Sequence, residues 1–243
     1  MVMIKRMETL TKGTAELGIE LDDAQLDQFE TYYREIADWN QRVNLTSIVE
    51  YEDVQVKHFL DSLTVRLTLP KELPQGIRVI DVGAGPGLPG LALKLAIPDI
   101  HLTLVDSTRK KTAFIQHVVD LLELSDVEVL TTRAEEVGQD YDLRESFDLA
   151  LARGLSRMPT LLEYALPLCK VGGKVVAWKH GGIQDELTGA NGALRVLGGR
   201  YQQIIPIEVP GLTDNRILVV VTKVHPTPDE YPRRTGVPSK QPL

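Results

Sequence analysis

The chain has 243 residues, 43% of them hydrophobic, which is enough for one sizeable α/β domain with an appendage. It contains no apolar run of about 18 residues and no secretory signal pattern in MVMIKRMETL, so a cytoplasmic protein without membrane spans is expected. Its one cysteine, Cys169, excludes a disulfide framework and a multi-cysteine metal site, and we expect no metal. The formal net charge of -7 argues against a nucleic-acid partner without excluding one, because a binding site needs only local positive potential.

Residues 1–75 are predicted to form a helical region. From Leu21 to Trp39 apolar residues recur every three or four positions, and Asp22 with Gln25 fits a helix N-cap and its partner in a capping box. A second helical stretch follows Tyr51. Its predicted buried face comprises Val54, Phe59, Leu60, Leu63 and Leu67. Residues 69–76 hold two prolines and a glycine and are predicted to connect this region to the next.

Residues 76–224 alternate short apolar runs with amphipathic helices. The strand candidates are Arg78–Val82, His101–Val105, Val127–Leu130, Phe147–Ala152, Lys174–Lys179, Gln202–Ile207 and Arg216–Lys223. The helix candidates are Leu88–Ile97, Thr108–Glu123, Met158–Leu168 and roughly Gln184–Leu197. This alternation predicts a mostly parallel seven-stranded sheet with helices on both faces, ending in an antiparallel pair because no helix separates the last two strands. Residues 225–243, with five prolines and several basic residues, are predicted to be a tail rather than a core element.

A glycine-rich turn follows the first predicted strand, in the stretch DVGAGPGLPG from Asp81 to Gly90. Glycines there let the chain turn sharply and let a ligand approach the backbone, at the edge of the sheet where α/β proteins bind ligands. A dinucleotide-binding fold would also have such a turn. However, Pro86 and Pro89 remove amide donors that a pyrophosphate would use, and Asp81 supplies a carboxylate for a cationic group. The turn therefore favours an amino-acid-bearing nucleoside without phosphates, although Asp81 could instead only hold loop amides.

Further candidates for the same ligand follow the second and third strands. Asp106 is placed to accept hydrogen bonds from ribose hydroxyls, or alternatively to cap the next helix. Arg133, Ala134 and Glu135 are placed to border an adenine.

At this point the residues resemble a known family, the bacterial 16S ribosomal RNA guanine-N7 methyltransferases (RsmG or GidB). The matching stretches are Trp39-Asn40, Asn44 to Ile48 (NLTSI), His58 to Leu63 (HFLDSL), Asp81 to Gly90, Val105 to Lys111, Arg133 to Glu135, Ala152 to Gly154, and Tyr231 to Arg234 with Gly236, Pro238 and Lys240. The order NLTSI, HFLDSL and GPGLPG is highly specific, and the resemblance covers nearly the whole chain. Gly154 and Leu155 stand where many relatives carry alanine and phenylalanine.

The resemblance implies a class I Rossmann-like methyltransferase fold and methyl transfer from S-adenosylmethionine to N7 of a guanine in the decoding-region loop of 16S rRNA. The implied partner is the small ribosomal subunit. The implied cofactor-binding residues, with those inferred from the glycine turn, are Asp81, Gly83, Gly85, Leu88, Asp106, Ser107, Thr108, Ala134, Glu135 and Arg153. No oligomer is implied.

Guanine N7 has a lone pair and no proton, so direct displacement needs positioning rather than a general base. The residues predicted to be catalytic are Arg153, Arg133, His58 and Asn44. Arg153 is predicted to contact guanine O6, a phosphate or the cofactor carboxylate, or else to form only a surface ion pair. His58 could shape the acceptor pocket or be a packed histidine. Cys169 is expected in the core, which excludes a cysteine-nucleophile mechanism.

Basic residues around the turn predict a phosphate-binding rim. Arg109, Lys110 and Lys111 open a helix, where positive charge opposes the helix dipole, and with Arg157 they are predicted to contact RNA. Arg133, Lys179, Arg233 and Arg234 could extend this rim. The alternatives are a methyltransferase acting on a small molecule or protein, a non-catalytic cofactor-binding factor for ribosome assembly, and a nicotinamide-dependent oxidoreductase.

Overall fold

The computed structural model describes residues 7–212 and 214–243, and its centre is one seven-stranded sheet. Residues 1–6, the start of the predicted helical region, lie outside the described residues. The strands β1 to β7 are Arg78–Val82, His101–Asp106, Val127–Thr131, Phe147–Arg153, Cys169–His180, Gly199–Pro206 and Arg216–Lys223. Their order across the sheet is β3-β2-β1-β4-β5-β7-β6. Strands β1 to β5 pair in parallel, and β7 pairs antiparallel with both β5 and β6. The predicted fold class, including the antiparallel end, is confirmed.

Helices surround the sheet. The α-helices α1 to α11 are Glu8–Glu16, Asp23–Asn40, Tyr51–Val54, Asp61–Leu63, Gly90–Ala96, Arg109–Leu121, Ala134–Gln139, Met158–Ala165, Gln184–Gly189, Asn191–Leu197 and Val237–Lys240. A π-helical segment, Gln55–Leu60, joins α3 to α4, and 3-10 turns follow at Thr64–Thr68 and Leu166–Leu168. The predicted capping box is confirmed, because the Asp22 side chain accepts a hydrogen bond from the Gln25 amide while the Gln25 side chain accepts one from the Asp22 amide.

Two apolar cores lie on opposite faces of the sheet. Along β1, Val79 belongs to the core beneath the N-terminal helices, whereas Ile80 belongs to the core beneath α8 and α10, as the two-residue alternation of a strand requires. Phe29 and Phe59, from the N-terminal helices, share the first core with sheet residues such as Val176. The N-terminal helices are therefore part of the same folded unit as the sheet.

The helical region departs from a regular 3.6-residue period. Leu67, predicted to be buried, has 42% of its surface exposed, because the π-helical and 3-10 segments wind the chain at other periods and turn this side chain outward. The other four residues of the predicted buried face are buried.

Two helical predictions for the sheet domain differ from the structure. The predicted helix over residues 184–197 is divided at Ala190 into α9 and α10, and α7 was not predicted.

Residues 225–243, predicted to be a tail rather than a core element, dock on the surface of the domain. Arg144 donates hydrogen bonds to the backbone oxygens of Tyr231 at 2.6 Å and Thr227 at 2.8 Å. Pro232 packs so closely on α7 that a Cβ added at Gly138 would lie 2.6 Å from its ring. Prolines leave backbone carbonyls free to accept bonds, and here charged side chains of the domain supply the donors.

No helix in the described ranges is long and apolar enough to cross a membrane.

Candidate active site

The glycine-rich turn after β1 is held at the carboxyl ends of the strands. The amides of Gly83 and Ala84 donate to the Val105 carbonyl at the end of β2, at 2.8 and 3.0 Å. Gly83 has φ of 76°, a left-handed conformation that a glycine adopts without strain. From the N-terminal helices, the Tyr32 hydroxyl donates to the Pro86 carbonyl at 2.6 Å. The helical region therefore fixes the shape of the turn.

Asp81 lies beneath this turn and is fully buried. Its Oδ2 accepts a hydrogen bond from the Gly90 amide at 2.8 Å, and a Cβ added at Gly90 would lie 2.9 Å from the same oxygen. Burial raises the pKa of Asp81 to about 7, against the opposing effects of the Gly90 bond and the positive charge of Arg153. Its Oδ1 has no hydrogen-bond partner among the described residues. Asp81 thus holds a loop amide and keeps one acceptor oxygen free.

A first cavity of about 260 Å³ opens beside the turn. It is lined by Val82, Gly83, Val105, Asp106, Ser107, Thr108, Lys111, Thr132, Arg133, Ala134, Glu135, Gly154, Leu155 and Tyr164. Six of the predicted cofactor-binding residues lie on its wall, namely Gly83, Asp106, Ser107, Thr108, Ala134 and Glu135. The turn and the loops after β2, β3 and β4 thus converge on one site.

The other predicted cofactor residues lie elsewhere. Leu88 is 3% exposed, packs in the apolar core and does not line this cavity. Gly85 is buried behind the cavity, where its amide donates to Asp106 Oδ2 at 3.0 Å. Asp81 lies below the turn, and Arg153 lines the neighbouring cavity described below.

Asp106 connects the glycine turn to the start of α6. Besides the bond from Gly85, its Oδ1 accepts a hydrogen bond from the Thr108 amide at 2.8 Å. Lys111 Nζ lies 3.9 Å from Oδ2. Asp106 is nearly buried yet lines the cavity, so its carboxylate is fixed in orientation before any ligand binds.

A second cavity, of about 530 Å³, adjoins the first. It is lined by Ile48, Lys57, His58, Arg153, Gly154, Leu155, Ser156, Leu161, Trp178, Lys179, His180, Gly181, Ile183, Glu186 and Arg216. Gly154 and Leu155, which follow β4, line both cavities. The two cavities therefore share a wall at the carboxyl end of β4.

A buried carboxylate holds two arginines in the second cavity. Asp61 is 0% exposed, and its Oδ2 accepts a hydrogen bond from Arg153 Nη1 at 2.9 Å and pairs closely with Arg216 Nη1. The Trp178 indole donates to the Asp61 backbone oxygen at 2.9 Å. The ion pair of Arg153 is therefore buried at the carboxylate, contrary to the surface pair considered above. Arg216 also donates from Nε to both carboxylate oxygens of Asp214 at 2.9 Å, so two carboxylates balance and orient the two guanidinium groups.

His58 is buried beside this network and packs the NLTSI loop. Its Nε2 lies 2.9 Å from the Thr46 hydroxyl, and its Nδ1 lies 3.2 Å from the Lys57 carbonyl. Burial and the nearby positive charge of Arg153 lower the pKa of His58 to about 4, so the ring is neutral at pH 7. In the tautomer with the proton on Nδ1, the ring donates to the Lys57 carbonyl and Nε2 accepts from Thr46. His58 thus both lines the cavity and fixes the preceding loop.

The remaining predicted catalytic and RNA-binding residues are spread over the surface. Asn44 is exposed and lines neither cavity, and Arg133 is exposed at the edge of the first cavity. Arg109, Lys110 and Arg157 are exposed, whereas Lys111 is partly buried in the first cavity.

Two basic residues considered for the rim have other partners. Lys179 pairs with Glu186 Oε1 at 2.6 Å, and Arg233 pairs with Glu163 Oε2 at 2.6 Å. Neither charge is free for an RNA phosphate. Cys169 is buried in the core, and burial raises the pKa of its thiol to about 12, which removes it as a nucleophile.

Sequence reasoning missed several residues of the site. Asp61 and Arg216 were not identified as site residues. Asp61 lies within a predicted apolar helix, and Arg216 is the first residue of a predicted strand. Asn40 was also missed, although its Oδ1 accepts hydrogen bonds from the amides of Leu45 and Thr46 and so shapes the NLTSI loop. An acidic residue inside the apolar motif HFLDSL was the available signal, because a buried carboxylate requires a cationic partner.

Comparisons with known proteins agree with this geometry. The family model GidB, described as rRNA small subunit methyltransferase G, matches residues 25–211. A ribosomal RNA small subunit methyltransferase G from Dehalococcoides mccartyi is 45% identical over 237 residues, covering 98% of this chain and 100% of the relative. The relative of the same name from Roseiflexus castenholzii is 46% identical, with the same coverage of both chains.

Among solved structures, a SAM-dependent methyltransferase from Aquifex aeolicus matches with a TM-score of 0.52 at 19% identity, covering 72% of this chain and 94% of that one. This likeness concerns the fold alone. From the family model and the full-length relatives, the chain belongs to the GidB family, rRNA small subunit methyltransferase G, and is an S-adenosylmethionine-dependent methyltransferase, as its sequence motifs predicted.

Proposed function

We propose that this enzyme transfers the methyl group of S-adenosylmethionine to N7 of a guanine in the decoding-region loop of 16S rRNA. The observation that carries the proposal is the pair of adjoining cavities that share Gly154 and Leu155. One cavity is lined by fixed carboxylates and the other by arginines. A donor in the first and an acceptor in the second would meet at the end of β4.

The first cavity fits the cofactor. Asp106 accepts two hydrogen bonds from the described residues, so it retains acceptor capacity for ribose hydroxyls. Glu135, 5% exposed, adds a second carboxylate, and Ala134 offers an apolar surface for a base. Asp81 Oδ1 is a buried acceptor without a partner among the described residues, which suits a nearby cationic group. When bound, S-adenosylmethionine would supply an electrophilic methyl group on its sulfonium.

Methylation of N7 requires little of the protein besides positioning the guanine against the methyl group. The N7 lone pair forms the new bond to carbon as the sulfonium–carbon bond breaks, and no proton is removed. Holding N7 about 3 Å from the methyl carbon and in line with the breaking bond would supply most of the acceleration. The second cavity therefore does not need a general base, although His58, His180 and Glu186 lie on its wall.

We propose that Arg153 contacts the acceptor nucleotide rather than the cofactor. Bidentate binding of O6 and N7 would block the reacting atom. Asp61 already occupies Nη1 of Arg153, which leaves the other donors of this guanidinium for O6 or a phosphate. Because the base must enter a cavity, it would come from a loop or be flipped out of its stack.

Exposed basic residues would guide the RNA. Arg109 and Lys110, at the first turn of α6, and Arg157, before α8, are free to contact phosphates around the two openings. Since small ribosomal subunits are assembled in the cytoplasm, this substrate would place the enzyme there.

The test is methylation of small ribosomal subunits purified from a strain that lacks the gene, using pure protein and labelled S-adenosylmethionine. The labelled position is mapped by strand cleavage at N7-methylguanine. One labelled guanine in the decoding-region loop is the expected result. Label in protein or small molecules would point to another acceptor, and tight cofactor binding without any transfer would favour a non-catalytic role in ribosome assembly.

A further inference from the structure

The C-terminal segment, residues 225–243, lies beyond the residues 25–211 that the family model matches, yet it reaches the first cavity. We propose that this segment is a working part of the cofactor site, because the Gly236 amide holds the Glu135 carboxylate in its binding position. The proposal rests on the proposed function, since that function places S-adenosylmethionine in the first cavity.

Glu135 depends on the segment for its orientation. Its Oε1 accepts a hydrogen bond from the Gly236 amide at 2.8 Å, while the residue is 5% exposed and lines the cavity. Tyr164, on the same cavity wall, interacts through its hydroxyl with both Glu135 and Ser239 of the segment. The carboxylate is thus held from outside the cavity and remains available from inside.

Helix α8 fixes the segment on both sides of Gly236. Three residues before it, Arg233 donates to the fully buried Glu163 from its backbone amide at 2.9 Å, from Nε at 2.8 Å and from Nη2 at 2.6 Å. Two residues after it, the Pro238 carbonyl accepts from the Thr160 hydroxyl at 3.0 Å. Gly236 itself has φ of 81°, which points its amide as the turn requires. The donor is therefore rigidly placed.

Without the Gly236 amide, a nearly buried carboxylate oxygen would lose its hydrogen bond. A buried charge with fewer hydrogen bonds is unfavourable, so Glu135 would rotate toward water and keep at most its contact with Tyr164. This rotation removes the oriented charge that the cofactor would meet. By linkage, a cofactor that binds the oriented carboxylate also stabilises the segment in its docked position.

The first experiment compares cofactor affinity by calorimetry in the full chain and in a chain ending after Arg233. The truncation keeps the bonds between Arg233 and Glu163 but removes Gly236. We expect the Kd for S-adenosylmethionine to rise about tenfold, the effect of one hydrogen bond to a charged group. The matched control is Lys240→Ala, an exposed substitution in the same segment, which should leave the Kd unchanged.

Two further chains separate a specific contact from general loosening. With Glu135→Ala in both the full and the truncated chain, truncation should change the Kd less than about twofold, because the bond it removes is already lost. Equal affinity of the full and truncated chains would overturn the proposal, as would the same tenfold loss in the Glu135→Ala background. If the full chain did not bind S-adenosylmethionine at all, the proposed function itself would be contradicted.

Limited proteolysis tests the proposal in the full chain, without a substitution or truncation. Trypsin cleavage after the exposed Arg234 is followed by mass spectrometry in the full chain, with and without saturating S-adenosylmethionine. We expect the cofactor to slow cleavage at this site at least about threefold, as stabilisation of the docked segment requires. Cleavage at the same rate in both samples would contradict the coupling.

Discussion

The two cavities at the end of β4 differ in the charge that their buried groups supply. In the first, Asp106 and Glu135 are each held by backbone amides and face the space with negative charge. In the second, Arg153 and Arg216 are held by the buried Asp61, with Asp214 as a further partner of Arg216, and their guanidinium groups line the space. Both arrangements fix a charge in place before a ligand arrives. The difference teaches that an acidic chain can place oriented carboxylates and oriented guanidinium groups in two cavities that share only Gly154 and Leu155.

The largest expected effect is on the arginine side. We predict that Arg153→Ala lowers kcat/KM for small ribosomal subunits about 10²–10³-fold, because a fixed charge at the acceptor is lost. The Kd for S-adenosylmethionine should change less than about threefold, since Arg153 lines only the second cavity. The measurement is steady-state methyl incorporation with calorimetry in parallel. Arg195→Ala, an exposed arginine on α10, is the control, and a normal rate in the Arg153 variant would refute the assignment.

On the carboxylate side, Asp106→Ala should weaken cofactor binding about a hundredfold. The substitution removes the acceptor for the Gly85 and Thr108 amides together with the proposed ribose contact, and bonds to a charged group contribute strongly. Calorimetry measures the effect. Asp120→Ala, on an exposed position at the other end of α6, should leave the Kd as it is. An unchanged Kd for the Asp106 variant would contradict the proposal that the cofactor binds in the first cavity.

Asp61→Asn should destabilise the fold by about 2–3 kcal/mol, because it leaves Arg153 without its carboxylate partner, whereas Arg216 keeps Asp214. This loss is smaller than is usual for a broken buried ion pair, because the side chains of Arg153 and Arg216 are 16% and 17% exposed and can be hydrated. Urea unfolding measures the free energy. The control is Asp38→Asn, which breaks an exposed pair with Arg42 and should cost less than about 0.5 kcal/mol. Equal effects of the two substitutions would mean that Asp61 is not the centre of a buried network.

His58 should give the wild-type stability a pH dependence that His58→Gln lacks. The pKa of about 4 in the folded chain lies below the ordinary 6.5, so the unfolded chain binds the proton more readily. The contribution of His58 is therefore full above pH 6.5 and is lost as the pH falls toward 4, by about 2 kcal/mol. Asp81, whose pKa is raised to about 7, changes stability in the opposite direction in this range, so the comparison with the variant is essential. Parallel stability profiles from pH 4.5 to 7.5 in urea unfolding would contradict the buried neutral ring.

Local patterns predicted the sheet better than they predicted the second cavity. The strands Arg78–Val82 and Arg216–Lys223 agree with the prediction residue for residue, because buried apolar runs bounded by turns leave few alternatives. The glycine turn and Asp106 were also found, since their chemistry lies within short stretches of sequence. By contrast, the Arg153–Asp61–Arg216 network joins residues that are 92 and 155 positions from Asp61, and only the completed sheet brings them together.

The C-terminal segment shows a second limit of sequence reasoning. Its proline content predicted a tail, but proline-rich chain can dock wherever fixed donors meet its free carbonyls. Arg144 supplies such donors, and Arg233 finds the buried Glu163 in return. Neither pairing is visible from local composition, because each partner lies about 70 to 90 positions away along the chain.

The most direct test of the division between the cavities is a single-turnover experiment on Asp106→Ala and Arg153→Ala side by side. Each variant is mixed with small ribosomal subunits and with labelled S-adenosylmethionine at a concentration that saturates it, and the rate of methyl transfer is measured. We predict that the Asp106 variant approaches the wild-type rate once saturated, whereas the Arg153 variant stays slow at every cofactor concentration. The opposite pattern, or the same loss in both variants, would contradict separate donor and acceptor cavities.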